Sequence, residues 1–157
     1  MDPEALVDEL TRERDAFFEA LASVSEESMT TPGLVGEWSG RDLIAHVGYW
    51  VGHATDVIHL FETGRIAEDD LGGQTVDEVN ATVARIARDT PLATVRKREE
   101  ASVDALVARL RTIDPALLPE PLPDGATLAQ GIREDASDHY REHAEELRAA
   151  LSERPDA

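Results

Sequence analysis

The sequence predicts an all-α fold, and three observations support it. Apolar residues recur at spacings of three and four in four segments, no segment alternates apolar and polar residues as a strand does, and capping residues stand where segments begin. With 157 residues, the chain is long enough to bury a core without cross-links. We therefore expect one helical domain over residues 1–157.

The first helix is predicted over about residues 3–25. Asp2 is placed to cap its first turn, and Pro3 suits the first helical position because that position needs no backbone donor. Glu13 and Arg14 interrupt the apolar stripe midway. The stripe consists of Leu6, Leu10, Phe17, Leu21 and Val24.

The second helix is predicted to begin after Ser39, with Asp42 completing a capping box, and to end at Thr63-Gly64. Gly48 and Gly52 lower its helix propensity and permit another helix to approach closely. Its apolar stripe consists of Leu43, His46, Val47, Trp50, Ala54, Val57, Ile58 and Phe61.

The third segment is predicted to begin near Thr75, with Glu78 in a capping box, and to break at Thr90-Pro91. A new helix can start there with Thr90 as its cap and Pro91 in its first position. The stripe of this new helix consists of Val95, Glu99, Val103, Leu106, Leu110 and Ile113. A connection with four prolines follows over residues 114–126.

The fourth segment is predicted as one continuous helix over about residues 127–152. Its stripe consists of Leu128, Ile132, Ala136, His139, His143, Leu147 and Ala150 or Leu151. Two histidines therefore lie on the side of this helix that faces the core.

Composition excludes several classes of function. The net charge of −18 disfavours nucleic acid and anionic membrane surfaces as partners, because their phosphates would be repelled. The chain has no cysteine, so disulfides and protein thiolates are excluded. The acidic N-terminal residues do not resemble a leader, and no stretch approaches the roughly 18 apolar residues of a membrane helix. We expect a cytoplasmic protein.

Three histidines form a candidate metal site. His139 and His143 are four residues apart and share one face of a helix, and His46 lies on the apolar stripe of the second helix. Three buried, hydrogen-bonded core histidines would explain the pattern equally well. A shared divalent ion would satisfy all three rings at once, and zinc and nickel both suit imidazole ligands.

Other polar residues are candidates for the remainder of a site. His53 lies two turns after His46, where it could support the ligands or line the mouth of the site, or be partly buried and structural. Arg14 could bind an anionic substrate and Glu99 could act as a base, although either side chain could instead extend to the surface. His59 falls on the polar side of its helix. Residues 139–143 also fit the H-x-x-E-H pattern of inverted zinc peptidases, but only 14 residues follow to supply another ligand.

Two blocks of sequence resemble the DinB-like superfamily, which includes bacterial thiol-dependent S-transferases and mycothiol-dependent maleylpyruvate isomerases. The blocks are residues 38–46 (WSGRDLIAH) and residues 138–143 (DHYREH). The second block, together with residues 79–80 (VN) and 88–92 (RDTPL), is closest to the ClbS/DfsB branch.

The resemblance implies an up-down-down-up four-helix bundle, often a homodimer. It also implies a divalent metal held by His46, His139 and His143. Since the chain lacks cysteine, sulfur chemistry would need a low-molecular-weight thiol such as mycothiol or bacillithiol. We expect no counterpart here to the extra C-terminal domain of some isomerases, which weakens a specific maleylpyruvate assignment.

These observations together predict a metal-binding bundle that transfers a thiol to a small electrophile, as in detoxification. Two alternatives stay open: a metal-dependent hydrolase of the ClbS type, and a non-enzymatic stress-response or small-molecule-binding module.

Overall fold

The computed structural model describes residues 2–154, which form six α-helices, three short 3₁₀ helices and no β-sheet. The all-α prediction is therefore confirmed for this part of the chain. The α-helices are α1 (Pro3–Leu21), α2 (Gly40–Glu62), α3 (Val76–Arg88), α4 (Leu92–Thr112), α5 (Leu128–Asp135) and α6 (Ser137–Glu153). The 3₁₀ helices are Ile66–Glu68, Leu71–Gly73 and Pro115–Leu117.

Helix α1 begins as predicted and ends earlier than predicted. The Asp2 carboxylate accepts the Glu4 backbone N–H at 3.1 Å, and Pro3 occupies the first turn. The helix ends at Leu21 because residues 22–25 turn away and Ser25 begins a separate turn. The Ser25 hydroxyl accepts the Ser28 backbone N–H at 3.2 Å.

Helix α2 is capped as predicted and passes close to α4. Ser39 and Asp42 form a reciprocal capping box, with hydrogen bonds of 3.0 and 3.2 Å between side chains and backbone N–H groups. A Cβ atom on Gly48 would lie only 3.1 Å from the Cα atom of Glu99. The absence of a side chain at this position therefore allows the two helix backbones to approach each other.

The junction between α3 and α4 differs from the prediction in one detail. The break at Thr90-Pro91 is confirmed, but Thr90 does not cap α4. Its hydroxyl donates instead to the Ile86 carbonyl at 2.7 Å, which closes the last turn of α3. Pro91 adopts an extended conformation and is itself the residue before the first turn of α4.

The prediction of one continuous fourth helix is wrong. Ala136 has φ −117° and ψ −93°, which separates α5 from α6. No proline or glycine marks the break, which coincides with a tertiary contact. The preceding residue, Asp135, is hydrogen bonded to His53 of α2.

The core lies between four helices, with α2 packed against α4 and α1 packed against α6. Helix α2 also contacts α3 and α5. The largest fully buried apolar side chains are Leu10, Phe17, Leu43, Ile44, Ile58, Leu106, Leu110, Leu118, Leu128, Tyr140 and Leu147. Within residues 2–154, no helix has the length and apolar character that crossing a membrane requires. The order and direction of the four bundle helices remain a prediction.

Candidate metal centre

The structure brings His46 of α2 together with His139 and His143 of α6. The Nε2 atoms of His46 and His139 are 2.8 Å apart, and one ring nitrogen from each of the three residues lies within 4.8 Å of the others. The ring centroids are separated by 4.6 to 4.9 Å. The grouping expected from the helical spacing is therefore present.

Two features of the chain produce this geometry. His139 and His143 project from the same face of α6 because one helical turn separates them. The break at Ala136 sets the start of α6 independently of α5, so the first turn of α6 can point toward His46. On α2, the capping box fixes the helix start six residues before His46.

Burial keeps two rings of the cluster, those of His46 and His139, uncharged. The pKa of His46 is lowered to about 2, mainly by burial and further by the charges of His139 and His143. The pKa of His139 falls to about 4 because of burial and His143, despite an opposing contact with the backbone of Asp135. Both imidazoles are therefore neutral at pH 7, which is the form that binds metal ions.

The hydrogen bonding of the cluster fits a metal centre better than a set of core histidines. Without an ion, the two facing Nε2 atoms share one proton at 2.8 Å, and each ring's other nitrogen, Nδ1, is buried without a partner that meets hydrogen-bond geometry. Two nitrogens bound to one tetrahedral zinc ion at about 2.0–2.1 Å stand about 3.3 Å apart. A small outward movement of the two rings would therefore accommodate an ion.

Two tryptophans enclose the cluster, a role that the sequence did not indicate for Trp38. The Trp38 ring lies 4.6 Å from the His46 ring and 6.4 Å from the His143 ring. Trp50 is buried, as its position on the apolar stripe predicted, and lies 6.4 Å from the His139 ring. Its indole N–H donates to the Asn80 side chain at 2.8 Å, which links the cluster to α3.

His53 connects three parts of the structure beside the cluster. Its Nδ1 contacts an Asp135 carboxylate oxygen at 2.5 Å, and its Nε2 contacts the Asp69 carboxylate at 2.8 Å. Burial lowers the pKa of His53, but the two carboxylates outweigh it and raise the value to about 9. Burial raises the pKa of Asp135, which its hydrogen bond to His53 opposes.

The His53 side chain is 14% exposed and lies at the edge of a cavity of about 270 Å³ between α2, α5 and two loops. Its ring is 5.1 Å from Trp50. It is therefore partly buried, and it joins α2 to α5 and to the loop that carries Asp69. Sequence spacing did not identify Asp69 or Asp135 as its partners.

Arg14 and Glu99, the two other candidates, pair with each other. The Arg14 guanidinium donates to both Glu99 carboxylate oxygens, at 2.6 and 2.7 Å, and the Tyr140 hydroxyl donates to one of them at 2.5 Å. Glu99 is only 1% exposed, so it does not extend to the surface. Among the described residues, no hydrogen bond or ion pair joins Arg14 or Glu99 to the three histidines.

The remaining sequence features are placed as follows. His59 is exposed, as predicted. Glu142 of the H-x-x-E-H pattern is exposed, and its side chain has no hydrogen bond or ion pair among the described residues. The structure therefore gives no support to a peptidase site.

Comparisons with known proteins give one family match and one similar solved structure. The family model described as mycothiol maleylpyruvate isomerase N-terminal domain matches residues 10–134. The crystal structure of an uncharacterised protein from Escherichia coli UTI89 superposes with a TM-score of 0.75 at 14% sequence identity. The match covers 99% of this chain and 96% of that one, and at this identity it supports the fold alone. No curated protein matches the chain significantly.

Proposed function

The chain belongs to the mycothiol maleylpyruvate isomerase N-terminal domain family, and from this premise we propose that it is a metal-dependent enzyme. Its reaction would be the transfer of a low-molecular-weight thiol to a small electrophile. The observation that carries the proposal is the cluster of His46, His139 and His143, with Nε2 atoms of two rings 2.8 Å apart.

The ligand set favours a reactive centre over a structural one. Structural zinc sites are closed by four protein ligands, whereas catalytic sites use three and leave a position open. Within residues 2–154, the group that could hold an ion contains three histidines and no carboxylate. Three neutral imidazoles would leave the full charge of a zinc or nickel ion, which when bound supplies the Lewis acidity that lowers the pKa of a thiol or water.

The residues around the cluster hold it in place and limit the access of water. His46 is 5% exposed, and Trp38 packs against its ring. The His143 side chain is 12% exposed, so part of this ring is open to solvent. The protein has no sulfur nucleophile of its own because it lacks cysteine. The family description names mycothiol, which makes it the first thiol to test, with bacillithiol as the second.

Two features of the assembly belong to the same proposal. We expect an up-down-down-up order of the bundle helices, which is compatible with the packing of α1 on α6 and of α2 on α4. We also expect a homodimer, which light scattering during size-exclusion chromatography would test.

The metal is tested by elemental analysis of the purified protein. We expect close to one zinc or nickel ion per chain, and loss of that ion in His139→Ala and His143→Ala. His59→Ala is the matched control, because it removes an exposed histidine from α2 and should retain the ion. A wild-type protein without metal after incubation with zinc and nickel salts would refute the proposal.

The reaction is tested by incubating the metal-loaded protein with small electrophiles, maleylpyruvate among them, and a panel of thiols. We expect turnover that requires both the ion and a thiol and that His139→Ala abolishes. Turnover without thiol would instead identify a hydrolase. Absence of turnover with every thiol would leave a binding protein.

A further inference from the structure

The three histidines of the cluster differ in what their Nδ1 atoms contact. Among the described residues, no partner meets hydrogen-bond geometry at the buried Nδ1 atoms of His46 and His139, although the backbone of Asp135 contacts His139. The Nδ1 atom of His143 lies 3.0 Å from a carboxylate oxygen of Glu146, one turn further along α6. One ring of the cluster therefore has a carboxylate acceptor.

This contact determines where the proton of the His143 ring resides. A carboxylate is an acceptor only, so a neutral tautomer of the ring that keeps this contact carries its proton on Nδ1 and leaves the lone pair on Nε2. Metal-binding histidines almost always donate their other ring N–H to such an acceptor, which fixes the tautomer and the ring orientation. The Glu146 side chain is 52% exposed, and an ion pair at that exposure adds little to stability.

We propose that Glu146 is a positioning residue that holds His143 with Nε2 free for an ion and so strengthens metal binding. This inference rests on the proposed metal centre, but not on the reaction assigned to it. Glu146 does not itself bind the ion. It acts through the orientation and basicity of the imidazole that does.

Glu142 provides a matched control for this inference. It is also an exposed glutamate on α6, it precedes His143 directly, and its side chain has no hydrogen bond or ion pair among the described residues. Glu142→Ala and Glu146→Ala thus remove the same charge beside the same histidine, but only the second removes the acceptor. Glu146→Gln removes the charge and retains an oxygen that can accept the Nδ1–H.

The experiment measures zinc affinity by competition with a chromogenic chelator and, in the metal-free protein, the His143 tautomer by ¹⁵N NMR. We expect Glu146→Ala to weaken zinc binding about 10- to 100-fold, the range for loss of such a partner. Glu142→Ala should stay within about twofold of wild type, a change too small for a lost orienting contact. Glu146→Gln should fall between the two glutamate-to-alanine variants. The wild-type His143 ring should carry its proton on Nδ1, and Glu146→Ala should populate the other tautomer.

The failures of the two hypotheses can be distinguished. If the wild-type protein binds no zinc, the proposed function fails, and the tautomer measurement still tests the role of Glu146. If zinc binds and both alanine variants weaken binding equally, general electrostatics explain the effect and the inference is overturned. An unchanged affinity or an unchanged tautomer in Glu146→Ala would overturn it as well.

Discussion

Removing either partner of the Arg14–Glu99 ion pair should have unequal effects, because the two side chains differ in exposure. Arg14 is 28% exposed and can turn toward water when its partner is lost. Glu99 is 1% exposed and cannot. We therefore expect Arg14→Met to destabilise the protein more than Glu99→Gln at neutral pH.

The expected loss of unfolding free energy in Arg14→Met depends on whether the buried carboxyl group of Glu99 stays ionised or takes up a proton. An ionised carboxylate without its cation would cost several kcal/mol, whereas protonating an ordinary glutamate at pH 7 costs about 4 kcal/mol. Protonation of the carboxyl group therefore limits the loss in unfolding free energy to about 4 kcal/mol at pH 7. The limit falls by about 1.4 kcal/mol per pH unit, to about 1 kcal/mol at pH 5.

Glu99→Gln should behave differently. The amide is neutral at every pH and retains an oxygen that accepts the Tyr140 hydroxyl, which now lies 2.5 Å from the carboxylate. The expected loss is about 1–2 kcal/mol, the value of hydrogen bonds to a charged group, and it should not change between pH 5 and pH 8.

The assay is urea unfolding followed by far-ultraviolet circular dichroism, with each variant compared with wild type at pH 5, 6, 7 and 8. Zinc affinity is measured alongside and should match wild type if the pair acts only in the core. An Arg14→Met loss that does not decrease toward pH 5, or one smaller than that of Glu99→Gln, would refute the reasoning. Loss of turnover at unchanged stability would return both residues to the list of catalytic candidates.

Three further predictions concern stability. Gly48→Ala should lower the unfolding free energy by about 1 kcal/mol, because the new Cβ atom would lie 3.1 Å from the α4 backbone. Gly52→Ala should raise it by about 0.5–1 kcal/mol, because its Cβ atom would meet only a hydroxyl at 3.6 Å. Equal urea midpoints for the two variants would contradict this. Because the folded pKa of His53, about 9, exceeds its unfolded value of 6.5, its contribution of about 3 kcal/mol is fully present below pH 6.5 and is lost as the pH rises through 9. Urea unfolding should therefore show that His53→Gln is most harmful near pH 6 and close to harmless at pH 10, and a constant difference would exclude this role. The folded pKa values of His46 and His139 are lowered to about 2 and 4, so their contribution to stability is present above pH 6.5 and is lost as the pH falls, by about 2 kcal/mol per histidine at pH 5. The metal-free protein should accordingly have a lower urea midpoint at pH 5 than at pH 7. An unchanged midpoint would rule out neutral buried rings.

Local features of the fold were predictable because they depend on neighbouring residues. Ser39 and Asp42 form the expected capping box, and the chain breaks at Thr90-Pro91 as proline requires. The break at Ala136 was not predictable, because no proline or glycine marks it and it coincides with a contact to His53, 82 positions earlier in the chain.

The candidate site likewise has a part that the sequence predicted and a part that it did not. His46, His139 and His143 could be proposed together because each lies on an apolar face of its own helix, and such faces meet in the core. No pattern in the sequence indicated that Arg14 pairs with Glu99, or that His53 pairs with Asp69 and Asp135. These partners lie on different elements at separations of 16 to 85 positions.

The sequence alone determined the all-α class and most helix starts, the absence of a protein thiol and the three histidines that could share an ion. These follow from periodicity and residue type, which are properties of short stretches of chain. The tertiary structure decided that the Nε2 atoms of two of these histidines meet at 2.8 Å, that His53 contacts Asp135, and that Arg14 pairs with Glu99 in the core. Such contacts depend on how helices cross and where one breaks, and the packing of the whole chain sets both.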